Sequence, residues 1–519
     1  MKRSRWWSWA GLFLASLLIL AVPTPGSARP GGGHSFSGSR SSGSSGSRSS
    51  GSSGSRSSGS SGSRSSWSSS SASRTTYSSS SSSSSSDGGI LPLLVLVVLI
   101  VVVVVLWKAQ AGKGQVWSTL PIAPQRMPSA RKRLDALKQF DPDFSMVLFE
   151  DFLYTLYSRA HEMRGVHKLS RLAAYLDESS TATLAGMSPG VKRVDSVVVG
   201  SMLIDAVSGT SIAQPMTIVG VQFETNYTET NAQGVEQSYY AVEHWTLRRP
   251  TTAKSKPPGK LEIFGCPSCG AAQPEERDNN VCAYCGELMH TGRFDWRVTE
   301  ILVQNRVTRG PQLGGETPEM GTASRTIIAP NLATWMQALS AKDPSFSFSA
   351  MGERLKLIHR EINKAWSARD WKIARPYVSD QFFQMQLYWM ETYKRAGLRN
   401  ITEGAQVTRL ELADISCDRW FDAVTVRVYA TGLDYTIKDN DQSLVSGSKS
   451  KPRPFTEYWT LIRGAKVTRP PDTSAQCPSC AAELKVNMAG SCEYCGAKLT
   501  SGEFDWVLSR IEQDESYSG

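Results

Sequence analysis

Eight of the nine cysteines fall into four Cys-x-x-Cys pairs, and the ninth, Cys417, stands alone. Cys266 and Cys269 are followed after twelve residues by Cys282 and Cys285; Cys477 and Cys480 are followed after eleven by Cys492 and Cys495. A Cys-x-x-Cys turn aims two sulfurs at one point, and two such turns complete a tetrahedron of thiolates, the donor set of a structural zinc ion. The small residue after each pair lets backbone amides turn toward the sulfurs and disperse their charge. The spacing therefore predicts two structural zinc ions, each in a small ribbon. Thioredoxin-like redox chemistry uses a single pair, so doubled pairs argue against it. Ribbons also bind nucleic acid, but neither connecting loop is strongly basic, and a staple for a small subdomain is the simpler reading.

Little else in the chain reads as chemistry. There is no nucleophile elbow, phosphate-binding loop or metal-hydrolase helix, so the expectation is no enzyme, no catalytic residue and no bound organic cofactor. Of the six histidines, His161 and His167 sit on a helical segment with no carboxylate partner placed by the sequence, and they read as core or solvated residues. Glu243 and Glu457 stand at equivalent places beside Trp245 and Trp459. A strand-end ion pair is the plain reading for each, and a pocket acid the sharper one. Cys417 reads as a small buried residue, and Trp335, Trp366, Trp371 and Trp389 as core or groove aromatics.

The elements that position the cysteines come in duplicate. Asp141-Pro-Asp-Phe matches Asp343-Pro-Ser-Phe at an offset of 202, Glu243-His-Trp-Thr-Leu matches Glu457-Tyr-Trp-Thr-Leu at 214, and Phe294-Asp-Trp matches Phe504-Asp-Trp at 210. Two copies imply paired domains rather than a solenoid. Each copy opens on Asp-Pro, read as a helix cap and first turn. In copy two a helix is expected near residues 348–369, with Leu355, Ile358, Ile362 and Trp366 at helical spacing, and a second near 372–395. Period-two runs follow, through Val407, Leu410 and Leu412 and through Val424, Val426 and Val428. Copy one repeats the pattern at 197–206, 216–228 and 239–247. Helices followed by antiparallel strands make an α+β plan with helices on one face of a sheet.

Residues 343–464 resemble the Tim-forty-four-like domain family, named for the membrane-tethering subunit of a mitochondrial import motor. The resemblance rests on Asp343-Pro-Ser-Phe346, Trp366-Ser-Ala-Arg-Asp370, Arg375-Pro-Tyr-Val-Ser379, the strand region 424–435 and Phe455-Thr-Glu-Tyr-Trp459. Copy one keeps Asp-Pro-x-Phe and Glu-x-Trp-Thr-Leu but lacks Trp-Ser-x-x-Asp, so it is a diverged version. The resemblance implies two cone-shaped helix-plus-sheet domains and a membrane-associated adaptor role rather than catalysis. The added zinc ribbons, the apolar span and the doubling depart from the import subunit and fit a bacterial-type membrane protein.

The N-terminal stretch sets the topology. Residues 1–28 read as a signal peptide: Lys2, Arg3 and Arg5, an apolar run at 10–22, then Gly26 and Ala28 as small residues before a cut. Residues 29–88 carry an Arg-Ser-Ser-Gly-Ser-Ser-Gly-Ser octad and a polyserine run, with almost nothing to bury, and read as disordered. Residues 89–107 are apolar and, at about 1.5 Å per residue, just span a bilayer core. The basic residues Lys108, Lys113 and Arg126 follow the span while Asp87 precedes it, which places the C-terminal domains in the cytoplasm of a single-pass inner-membrane protein. Residues 1–87 hold nine of the 57 Lys and Arg and one of the 47 acids, leaving 48 against 46 in the rest. The folded part is near neutral, so nucleic acid is not the expected partner; a protein partner is expected, with lipid contact as an addition. An RNA- or ribosome-contacting adaptor, drawing on the basic stretches at 248–260 and 449–453, and a small-ligand binder or enzyme using a cone cavity are the alternatives. The expected units are 129–250 for the first domain, 261–301 for ribbon one, 302–330 for a linker, 331–466 for the second domain and 474–512 for ribbon two.

Overall fold

A computed structural model describes residues 129–258, 282, 285, 295–310, 313, 319, 321–514 and 516–519. The signal, the serine-rich stretch and the span at 89–107 lie outside these residues, as do Cys266, Cys269 and most of ribbon one. Among the described residues no helix is long and apolar enough to cross a membrane.

The fold is α+β, and the described residues carry two helix-plus-sheet modules of the same plan. Module one runs through α1 (Ala130–Arg133), a 3-10 turn at Leu134–Gln139, α2 (Met146–Gly165) and α3 (Glu178–Gly186). Its antiparallel sheet follows: β1 (Val191–Ser208), β2 (Met216–Asn231), β3 (Glu236–Pro250) and β4 (Arg297–Thr308), in that spatial order. Module two has α4 (Leu332–Lys342), α5 (Phe348–Ala368) and α6 (Asp380–Arg395), then β5 (Leu398–Cys417), β6 (Phe421–Lys438), β7 (Leu444–Gly447), β8 (Arg453–Gly464) and β9 (Val507–Gln513). Its sheet order is β5-β6-β8-β9, with β7 on β6.

The period-3.6 pattern is the reason α5 forms and packs. Leu355, Ile358 and Ile362 are wholly buried and Trp366 nearly so, against Val424, Val426 and Val428 of β6. Burying such side chains contributes about 1.5–3 kcal/mol each. The Ser347 hydroxyl accepts the Ala350 amide at 3.3 Å at the start of α5, and Arg369 ends it in the left-handed region. Ser145 caps α2 in the same way, accepting the Leu148 amide. The caps are these serines, not the Asp-Pro aspartates four residues upstream. The expected helix at 372–395 is two elements: a 3-10 turn at Trp371–Tyr377 and then α6. Pro376 has no amide proton to give a continuous helix, and Ser379 starts α6 by accepting the Phe382 amide at 3.3 Å.

The strand after each ribbon belongs to the module, not to the ribbon. β4 pairs with β3 from Arg297 to Thr308, and β9 pairs with β8. Ribbon two is therefore an excursion between two neighbouring strands, β8 and β9, and the segment expected to hold ribbon one falls between β3 and β4. The division at 301/302 falls inside β4, and the second sheet is completed by residues far beyond 466. The later part of the expected linker also packs: the Ile327 amide donates to the Tyr458 hydroxyl at 2.9 Å, and Arg427 reaches the Ser324 and Gly321 carbonyls at 2.8 Å. Register shifts in β1 and β5, as from Asp195 to Val198 and from Glu403 to Gln406, bend the long outer strands around the helices.

The two modules dock. Val147 of α2 packs on Ile462 and Val507 of module two. Glu150 of α2 takes Arg131 at 2.6 Å and Arg510 of β9 at 2.8 Å. Arg419 meets Asp143 at 2.7 Å, and the Trp420 indole donates to the Asp143 carbonyl at 3.0 Å.

Candidate metal centre

The four sulfurs of Cys477, Cys480, Cys492 and Cys495 lie within 4.8 Å of one another. Cys477 Sγ is 3.9 Å from Cys495 Sγ, and Cys480 Sγ is 4.0 Å from Cys492 Sγ. A tetrahedron with metal–sulfur bonds of about 2.3 Å has edges of about 3.8 Å, so the cluster is at the size that one zinc ion requires. The two turns are near copies of each other. Cys477 and Cys492 donate their amides to the Ala482 and Ala497 carbonyls at 2.7 and 2.8 Å, and the residue after each second cysteine donates back to the Cys477 and Cys492 carbonyls. That residue is Gly496 in one turn and Ala481 in the other, both left-handed, at φ 74° and 61°. The Ser479 amide points at Cys477 Sγ at 3.4 Å. The Ala482 amide lowers the Cys480 thiol, but its three sulfur neighbours and desolvation push it up to about 12; the Ala497 amide holds Cys495 down at about 7. Four thiols packed this closely cannot all ionise without a cation between them, which is the chemistry of a metal site.

In each turn the first cysteine is buried and the second exposed. Cys282 and Cys285 repeat this order, buried then exposed. Their expected partners Cys266 and Cys269 are outside the described residues. Cys417 is partly buried at the end of β5, where burial and the Asp422 carboxylate push its thiol up to about 12. That environment keeps it protonated and unreactive.

Ribbon two is bolted to module two by residues that the sequence did not single out for this task. Arg375 donates through Nε to the Met488 carbonyl at 3.0 Å and also pairs with Asp380 at the start of α6. Asp380 further accepts from Lys498 at 2.6 Å and from the Thr500 hydroxyl at 2.8 Å. Gly490 (φ +83°) sits so close that a Cβ there would lie 2.0 Å from Thr500 Oγ1. Asp505 accepts the amides of Trp506 and Asp472 at 2.7 and 2.8 Å, tying the exit of the ribbon to its entry.

The shared sequence motifs meet in one buried latch per module. Asp141 pairs with Arg249 at 2.8 Å, and the Arg249 guanidinium lies 5.0 Å over Trp296. Asp343 pairs with Arg463 at 2.9 Å, and Arg463 lies 4.4 Å over Trp506. All six side chains are buried. The Asp of Asp-Pro and the Trp of Phe-Asp-Trp are therefore two sides of one arginine. The signal was present: Arg249 and Arg463 both stand six residues after the shared glutamates.

Those glutamates lie mid-strand in the core, not at strand ends. Glu243 accepts the Trp245 indole N–H at 3.0 Å and lies 3.3 Å from His161, the partner that sequence could not place. Burial alone would raise Glu243, but donors from His161, Trp245 and Tyr157 hold it down, while burial lowers His161. Glu457 accepts the Trp459 indole at 2.9 Å and the Gln513 amide at 3.2 Å. His244 meets Asp205 at 3.2 Å near the surface, and His167 sits in a left-handed turn after α2. Trp366, Trp371 and Trp389 are core residues, with Trp335 packed against them.

Residues 332–472 match the family model of the Tim44-like domain, the family that the second copy resembles. The match covers module two up to the entry of ribbon two, leaving β9 and the four cysteines beyond it. No curated protein matches the chain.

Proposed function

We propose that the chain is a membrane-anchored, non-enzymatic scaffold. It presents two Tim44-like modules, each with a zinc ribbon, on the cytoplasmic face of an inner membrane, where they hold a protein partner. The observation that carries this reading is the match of module two to the Tim44-like domain. A membrane-associated adaptor is what that family suggests in general. The docked pair of modules adds a rigid platform, and the apolar stretch at 89–107 supplies the tether. The buried acids support a structural role: Asp141, Asp343, Glu243 and Glu457 are each occupied by arginine, histidine, indole or amide donors inside the core. Zinc is the ion that best suits four thiolates at this spacing, and cone-shaped modules are the form that the resemblance implies.

One observation bears on the RNA-contacting alternative. Arg249, in the first basic stretch, is spent on Asp141 in the core, and Arg453, in the second, pairs with Glu319 at 3.0 Å. A groove of about 610 Å³ between α2, β1 and α6, lined by Tyr154, Arg159, Val198, Met385, Tyr388 and Glu391, is the feature that favours a small-ligand role.

Crosslinking in cells, mild detergent extraction and identification of co-purifying proteins, with and without nuclease, tests the proposal. A nuclease-resistant set of membrane or envelope proteins is expected. Ribosomal proteins that vanish with nuclease would overturn it.

A further inference from the structure

We infer that metal loading of the Cys477–Cys495 cluster is linked to the docking of the two modules, with β9 as the connecting strand. β9 is seven residues long and reaches the sheet only by leaving the ribbon. Its ladder partner is β8, with a single bridge from Leu508 to Val378 on the other side. An edge strand with one full ladder partner relies on what fixes its ends. Its N-terminal end is fixed at the mouth of the ribbon, where the chain enters and leaves it. The Asp505 carboxylate joins Asp472 and Trp506 across 33 residues of sequence, and Arg354 donates to the Trp506 carbonyl at 3.2 Å and to the Asp472 carbonyl at 2.7 Å. The fold of that loop depends on four thiolates held around one point, because a ribbon this small has only a small apolar cluster of its own, built on Cys477, Cys492 and Leu499.

The other end of the chain of contacts is module one. The residue after Trp506 is Val507, which packs on Val147 of α2, and three residues later Arg510 reaches Glu150 of the same helix. Glu150 is also held by Arg131, so Arg510 and α1 meet on one part-buried carboxylate. The strand that the ribbon pins thus carries part of module two's contact to α2, beside Ile462 of β8. Losing the metal loosens the ribbon, then the Asp505–Trp506 clamp, then the seam. Linkage makes the effect reciprocal: whatever weakens the seam must loosen the metal.

The test uses the full chain in mild detergent and two readouts. The first is hydrogen exchange in the α2 peptides after zinc is stripped by a chelator. The second is the rate at which Cys477, Cys480, Cys492 and Cys495 become alkylated, followed peptide by peptide in the presence of that chelator. The variants Glu150→Gln and the milder Val147→Ala alter only module one, so a change in cysteine reactivity cannot come from damage inside the ribbon. The expected result is faster exchange in α2 on zinc removal and alkylation of the second cluster accelerated severalfold in both variants. Unchanged α2 exchange, with alkylation rates within twofold of the parent protein, would overturn the inference. Cys492→Ser gives an independent check, since it should speed α2 exchange with no chelator present.

Discussion

The two modules solve the same problem with one shared device and one that differs. Both bury an arginine between an Asp-Pro aspartate and the tryptophan that follows the ribbon. In module one Arg249 depends on Asp141 and the Ser255 hydroxyl, whereas Arg463 has a second acid, Asp422, at 3.9 Å. Beneath the sheet the shared glutamate finds different company: His161 in module one, Gln513 in module two. The repeat thus preserves the link between strand and ribbon, while the partner of the core acid drifts. What is held constant is the closure of the sheet by a strand that returns after a pair of Cys-x-x-Cys motifs.

The largest expected effect tests the latch. Asp141→Ala leaves a buried guanidinium unpaired and should cost module one about 3–5 kcal/mol. Asp343→Ala should cost module two less, by about 1 kcal/mol or more, because Asp422 remains near Arg463. Urea titration followed by module-specific hydrogen exchange measures both, and equal losses would break the comparison. Next comes the core acid. Glu457→Gln keeps an acceptor for Trp459 and a neutral neighbour for Gln513, so its effect should stay below about 1 kcal/mol, while Glu243→Gln removes the charge that His161 faces and should cost about 1–2 kcal/mol. A Glu457→Gln loss as large as that of Glu243→Gln would contradict the distinction.

The seam between modules carries a pH signature. Burial raises Glu150, but Arg131 and Arg510 hold it at about 2, below its ordinary 4.5, so its contribution is full above pH 4.5 and is lost as pH falls through about 2. Burial, with Glu150 and Asp380 nearby, pushes Asp151 up to about 7 from 3.8, so its contribution is full below pH 3.8 and is lost as pH rises through about 7. Between pH 6 and 8 the melting temperature should fall by a few degrees, and Asp151→Asn should flatten that fall. A variant that keeps the full slope would remove Asp151 from the account. The smallest effect concerns the turns of ribbon two: Ala481→Gly places glycine where its partner turn already has Gly496, relieves a left-handed alanine and should gain up to about 1 kcal/mol. A loss on substitution would contradict the equivalence of the two turns.

The legibility of this plan in the sequence follows its physics. Leu355, Ile358, Ile362 and Trp366 announced α5 because burial has a period, and Val424, Val426 and Val428 announced β6 for the same reason. Four cysteines announced their cluster because a Cys-x-x-Cys turn is a local geometry. What stayed hidden was long-range and polar. Nothing local says that Asp141 turns inward to Arg249 rather than capping a helix, that His161 meets Glu243 across 82 residues, or that β4 and β9 rejoin their sheets after each ribbon. Arg375 carried the family resemblance and Asp380 lay in an expected helix, but nothing local said that ribbon two lies on them.

The central claim is that both modules are closed by a ribbon organised around a metal ion. Elemental analysis of the purified full chain, alongside a Cys480→Ser/Cys495→Ser variant, tests it most directly. Two zinc ions per chain, falling to one in the variant, is the predicted result. A chain with no bound zinc, or one whose zinc content does not change when the second cluster is removed, would contradict it.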